Sequence, residues 1–100
     1  MVKHIILWKI KEEYSEEEKK RIKSEAKREL EALVGKIDGL KNLTVETNGL
    51  STSNADMMLY SEFSSEEALS GYAKHPLHCK AADSYVRPYM QVRLCLDFKS

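Results

Sequence analysis

The stretch "VKHIILWKI", residues 2–10, constrains the fold more than any other part of the chain. Val2, His4, Ile6, Trp8 and Ile10 share one face of its period-two alternation, and Ile5 and Leu7 share the other. That period marks a β-strand. Both faces are apolar, whereas a strand of an antiparallel sheet commonly leaves one face wet. Both faces therefore need cover, by helices on one side and by something else, such as another subunit, on the other.

The remaining elements follow from caps and periodicity. Ser15-Glu16-Glu17-Glu18 reads as a capping box, with the three glutamates at the positive end of the helix dipole. Ile22, Ala26, Leu30 and Leu33 then form one apolar stripe, and Gly35 is a natural stop. The other faces of this helix carry mixed charge pairs, including Glu17/Arg21 and Lys27/Glu31, and read as a solvated surface. Strands are expected at residues 39–48, 57–63 and 89–98, with the polar, turn-rich "TNGLSTSNAD" between the first two. "SSEEALSGY" predicts a short helix capped by Ser64 with Glu67, and "HPLHCKAADSYV" predicts another. In the last strand Met90, Val92, Leu94, Leu96 and Phe98 alternate with Gln91, Arg93, Cys95 and Asp97. The order β-α-β-β-α-α-β is the ferredoxin-like α+β plan, a four-stranded antiparallel sheet in a single domain over residues 1–100.

Composition excludes several function classes. Sixteen acidic and sixteen basic residues cancel, so there is no basic field for a nucleic acid. No apolar run approaches the roughly 18–20 residues needed to cross a membrane, and the N-terminal stretch lacks the pattern of a secretory signal. Cys79 and Cys95 make no disulfide framework, which suggests reduced thiols and a cytoplasmic protein. A chain of 100 residues buries roughly two-thirds of its unfolded surface, so dimerisation would be a natural supplement to its core.

The chemistry-bearing stretch is "GYAKHPLHCK", residues 71–80. Proline suits the first helical position and pushes its predecessor out of the helical region. His75 therefore caps a new helix, Pro76 takes N1 and His78 takes N3. A helix restart accounts for the whole motif. The same geometry places His78 at the positive end of a dipole that disfavours imidazolium, and the break turns Tyr72 and His78 towards one space. A phenol and a neutral imidazole can bind a carbonyl oxygen and remove a proton beside it. A metal site is not expected: His75, His78 and Asp83 do not make a recognised ligand spacing, and HExxH, CxxC and EF-hand patterns are missing. There is no nucleophile elbow and no phosphate-binding glycine loop, so no cofactor is expected.

The opening "VKHIILWKIKEE", the strand "DMMLYSEF", the corner "GYAKHPLH" and the terminal "DF" together resemble the stress-responsive A/B barrel domain (Dabb) family over essentially the whole chain. The resemblance implies a homodimer, a dimeric α-β barrel in which two sheets close on each other with helices outside. It also implies a site. In a plant polyketide cyclase of similar layout, a Tyr and a His form the catalytic pair of a cofactor-free intramolecular aldol condensation. The matching corner puts these on Tyr72 and His78, and a pocket histidine of the opening strand falls on His4. A further pocket histidine has no counterpart, the third strand carrying Met57 and Met58 instead. Two functions stay open. One is a cofactor-independent acid/base enzyme (cyclase, isomerase or decarboxylase type) acting on a small carbonyl compound through His78 as base, Tyr72 as donor and His4 as assistant. The other is a non-catalytic, stress-associated dimeric scaffold or a domain that binds a small apolar ligand.

Overall fold

A computed structural model describes residues 1–100. The elements are β1 (Val2–Ile10), α1 (Glu16–Glu31), β2 (Leu40–Glu46), β3 (Met57–Phe63), α2 (Glu66–Lys74), α3 (Pro76–Tyr85) and β4 (Met90–Lys99), with one 3-10 turn at Arg87–Tyr89. The strands form a four-stranded antiparallel sheet in the order β2-β3-β1-β4, which is the ferredoxin-like arrangement expected from the sequence. β1 is interior and pairs on both sides, and where the β3 ladder stops Asp56 takes over, its N–H donating to the Trp8 carbonyl and its carboxylate accepting from Ile10 N–H.

The helices cover one face only. On that face Val2, Ile6, Trp8 and Ile10 are buried with Leu59 and Phe63, under Ala26 and Leu30 of α1 and Tyr72 of α2. The capping box forms as predicted: Glu18 N–H donates to Ser15 Oγ at 3.1 Å and Ser15 N–H donates to Glu18 Oε1 at 2.8 Å. α1 ends at Glu31, earlier than Gly35, which instead serves a following turn with φ 88°. The second helix is capped by Ser65 rather than Ser64, its hydroxyl accepting from Ala68 N–H at 3.1 Å. This one-residue shift leaves Ser64 N–H free to donate to the Gly39 carbonyl at 2.9 Å. Gly39 has φ 82°, and a Cβ there would lie 2.4 Å from Ala68 Cβ. Only glycine lets the start of α2 settle this closely on the turn before β2.

The opposite face is bare. Residues paired across an antiparallel ladder share a face, so the register places Ile5, Leu7, Met58, Tyr60, Leu94 and Leu96 together on the side without helices. Leu94 is 62% exposed and Leu96 64%. The two apolar faces of β1 thus meet different surroundings, helices on one side and an uncovered apolar sheet on the other.

One polar clamp pins a helix to an edge strand. Glu31 accepts from Lys27 Nζ at 2.8 Å and from Val45 N–H at 2.9 Å, while Lys27 Nζ also donates to the Val45 carbonyl at 2.8 Å. Both backbone groups of Val45 that face outward from β2 are thereby occupied, which blunts a sheet edge. Burial pushes the Glu31 carboxyl up, but the bonds from Lys27 and Val45 outweigh it and hold the group below its ordinary value of 4.5. A depressed folded-state pKa adds stability that is present above the unfolded value and fades as pH falls through the folded one. Glu31→Gln should therefore cost roughly 1 kcal/mol in urea unfolding at pH 7. The difference from the native chain should close as the pH is lowered below about 4, and a gap that persists at acid pH would rule out this account.

Candidate functional site

α2 and α3 meet at His75, whose φ −67° and ψ 133° are extended rather than helical, as the following proline requires. His75 closes both helices. Its N–H donates to the Tyr72 carbonyl at 3.1 Å, and its Nδ1 accepts from Leu77 N–H at 3.1 Å. The predicted helix restart is thus present in full, and it does bring Tyr72 and His78 together. Their ring centroids lie 4.1 Å apart at 36°.

The environment separates the roles of the two groups. Tyr72 is 2% exposed, and burial raises its phenol well above the ordinary tyrosine value, the charge of Arg93 only partly opposing this. It remains a hydrogen-bond donor throughout the physiological range. His78 is half-buried, and its Nδ1 is buried with no hydrogen-bond partner. Burial lowers its pKa from 6.5; the Ala73 carbonyl opposes the shift, while Arg87, His4 and Arg93 add to it. The Ala73 carbonyl does not satisfy Nδ1 and already faces the Cys79 thiol at 3.6 Å. The sequence predicts a neutral His78 on the strength of the helix dipole; in the fold, desolvation is the leading cause.

His4 extends this group across the sheet. It is 6% exposed, on the face covered by the helices. Its ring stands edge-on to Tyr72 at 6.2 Å and to Phe63 at 6.3 Å, and Phe63 packs on Tyr72 at 5.0 Å. Its carbonyl accepts from the buried Ser61 hydroxyl at 3.1 Å. Its Nδ1 makes a short contact with the Asp97 carboxylate. Asp97, Cys95 and Arg93 of β4 stand opposite His4, Ile6 and Trp8 in the ladder and hence on the helix side. Cys95 Sγ lies 3.6 Å from His4 Nδ1 and 3.5 Å from Asp97 Oδ1. Burial, followed by the Asp97 charge, raises the Cys95 thiol, so it is a poor thiolate at neutral pH. None of these three β4 residues is expected at the site from the sequence. The signal available is β4's alternation, in which a polar set recurs at every second position of an otherwise apolar strand.

A cleft of about 440 Å³ opens beside this cluster, between α2 and the ends of β1 and β4. Its lining includes Val2, Leu69, Ser70, Asp97 and Phe98. Asp97 belongs to both the cleft and the histidine cluster, whereas Tyr72 and His78 do not line the cleft.

The chain matches the family model of the stress responsive A/B barrel domain (Dabb) over residues 2–100. The chain is a member of the Dabb family. Similar solved structures share its fold. A dimeric protein of unknown function with a ferredoxin-like fold from Bacteroides fragilis NCTC 9343 is 31% identical, with a TM-score of 0.92 and coverage of 99% of this chain and 95% of that one. The Arabidopsis thaliana protein At3g17210 is 23% identical, with a TM-score of 0.77 and coverage of 100% and 95%. A hydroxynitrile lyase from Passiflora edulis is 16% identical, with a TM-score of 0.73 and coverage of 97% and 90%, a likeness of fold alone. Comparison with curated proteins found no match.

Because the folded Dabb chain holds His78 below its ordinary pKa, the unfolded chain binds the extra proton first. Stability should be complete above about pH 6.5 and fall as pH drops through the folded-state value. NMR titration of the His78 ring should give a midpoint below 6.5, and His78→Gln should flatten the stability profile over this window. A midpoint at or above the ordinary value would contradict the desolvated setting described above.

Proposed function

We propose that this Dabb protein is a homodimeric, cofactor-independent acid/base enzyme acting on a small carbonyl compound, in a cyclisation, isomerisation or decarboxylation. The observation that carries the reading is the contact between a phenol held protonated and an imidazole held neutral with an unpartnered nitrogen. In this reading His78 removes a proton from the carbon beside a carbonyl. Tyr72 donates a hydrogen bond to the oxygen on which negative charge develops, and the imidazolium returns the proton to the product. His4, oriented by Asp97, helps to set the tilt of Tyr72 through their edge-on packing.

The uncovered sheet face supports the dimer. Its leucines have no cover within the chain, a contiguous apolar face of this kind marks an interaction surface, and the 31% identical Bacteroides fragilis protein is described as dimeric. No helix is long and apolar enough to cross a membrane, and two free cysteines accord with a cytoplasmic setting. A second reading, a scaffold or an apolar-ligand-binding domain, is favoured by one observation: Tyr72 and His78 do not line the cleft.

Two experiments test these readings. An NMR screen of small carbonyl and polyketide-like compounds should give saturable shifts at His4, Tyr72 and His78, weakened in His78→Gln. With a bound compound in hand, turnover should fall by about 10²–10⁴ in His78→Gln and by about 10²–10³ in Tyr72→Phe. A library that leaves all three signals unmoved would favour the scaffold. Sedimentation of the native chain should give twice the chain mass, and the double substitution Leu94→Asp with Leu96→Asp should reduce it to one. A native monomer would remove the dimer from the proposal.

A further inference from the structure

The cluster of His4, Cys95 and Asp97 has a composition that the acid/base reading does not use. The ladder between β1 and β4 sets His4 directly opposite Asp97, with Cys95 one same-face position along, opposite Ile6. One ligand atom from each, imidazole Nδ1, thiol Sγ and carboxylate oxygen, falls within 4.8 Å of the others. Each side chain offers a different donor, and together a neutral imidazole, a thiolate and a carboxylate carry two negative charges, enough to balance one divalent cation.

The spacing is informative. Zinc binds sulfur at about 2.3 Å and nitrogen or oxygen at about 2.0–2.2 Å, which in a tetrahedron separates a sulfur from a neighbouring donor by about 3.5 Å. The two sulfur distances here are 3.6 Å to Nδ1 and 3.5 Å to Oδ1. The remaining edge, from His4 to Asp97, is a short hydrogen-bonded contact. It would have to lengthen to reach a tetrahedral edge. Asp97 can make that movement, since its side chain is 45% exposed. The imidazole is the fixed member: His4 is buried and its ring is flanked edge-on by Phe63 and Tyr72.

We propose that His4 Nδ1, Cys95 Sγ and an Asp97 carboxylate oxygen bind one borderline transition-metal dication of the Zn²⁺ type, leaving the fourth position open. The mixed nitrogen, sulfur and oxygen set selects against Mg²⁺ and Ca²⁺, which take oxygen donors. On binding, the ion takes the place of hydrogen at His4 Nδ1, the imidazole staying neutral with its proton on Nε2, and the Cys95 thiol loses its proton to solvent. The site shares His4 with the proposed acid/base group but does not depend on Tyr72 or His78 being catalytic.

The test uses the full chain, stripped with a chelator and titrated with Co²⁺ and with Zn²⁺. One Co²⁺ per chain should bind with a thiolate-to-metal charge-transfer absorption that disappears in Cys95→Ser and persists in Cys79→Ser and His78→Gln. Zn²⁺ affinity in Cys95→Ser and in Asp97→Asn should fall by more than the roughly 10–100-fold that loss of an outer partner costs. Cys95 and Asp97 are both exposed, so these variants should keep the fold, and circular dichroism checks that they do. The proposal is overturned by a missing charge-transfer band, by a band that follows Cys79, or by Zn²⁺ binding indifferent to both substitutions. Each of those outcomes leaves the carbonyl-compound screen unaffected, so the two readings fail separately.

Discussion

Everything in this molecule is arranged around the placement of β1 inside the sheet. An interior strand has neighbours on both edges, so its backbone pairs on both sides along most of its length and its side chains decide what lies above and below. One face packs under the helices and supplies the core with Trp8 and Ile6. The other face, with Ile5 and Leu7, joins the apolar residues of β3 and β4 on a surface that the chain itself leaves open. The same alternation inserts His4 among the buried residues. Its polar ring then needs partners, because burying an unpaired polar group costs free energy. Asp97, directly across the ladder, meets that need.

β4 reverses the pattern of β1. Its leucines turn away from the helices while Arg93, Cys95 and Asp97 turn towards them. An edge strand beside a helix layer would ordinarily add apolar residues to the core. Here the layer falls short of β4, whose residues beyond Met90 are all exposed. That shortfall creates the cleft beside Asp97, and it keeps a charged residue within reach of a buried histidine. One geometric fact thus underlies both the polar cluster and the opening next to it.

The helix corner sets the other half of the site. Pro76 forces His75 into an extended conformation, and His75 then caps in both directions, so α2 and α3 meet with little freedom. The stiffness of this join holds an imidazole over a phenol. Desolvation governs both groups, pushing the phenol up and the imidazole down. Opposite shifts arising from one cause distinguish a hydrogen-bond donor from a proton acceptor.

Much of this is legible in the amino-acid sequence itself. Alternation identifies the strands, Ser15 with Glu18 identifies the first helix, and His-Pro identifies the corner, because each rests on contacts between residues a few positions apart. Tyr72 and His78 are linked by one short helix break, and so they too can be read together. The cap at Ser65 differs by one residue from the expected Ser64 because the two serines have equal local claims, and only the contact of Ser64 with Gly39 separates them. Cys95 and Asp97 stand more than ninety positions from His4. No periodicity joins residues at that distance. Strand pairing across the sheet does so, and that pairing, with the side of β4 left open by the helices, was decided by tertiary structure alone.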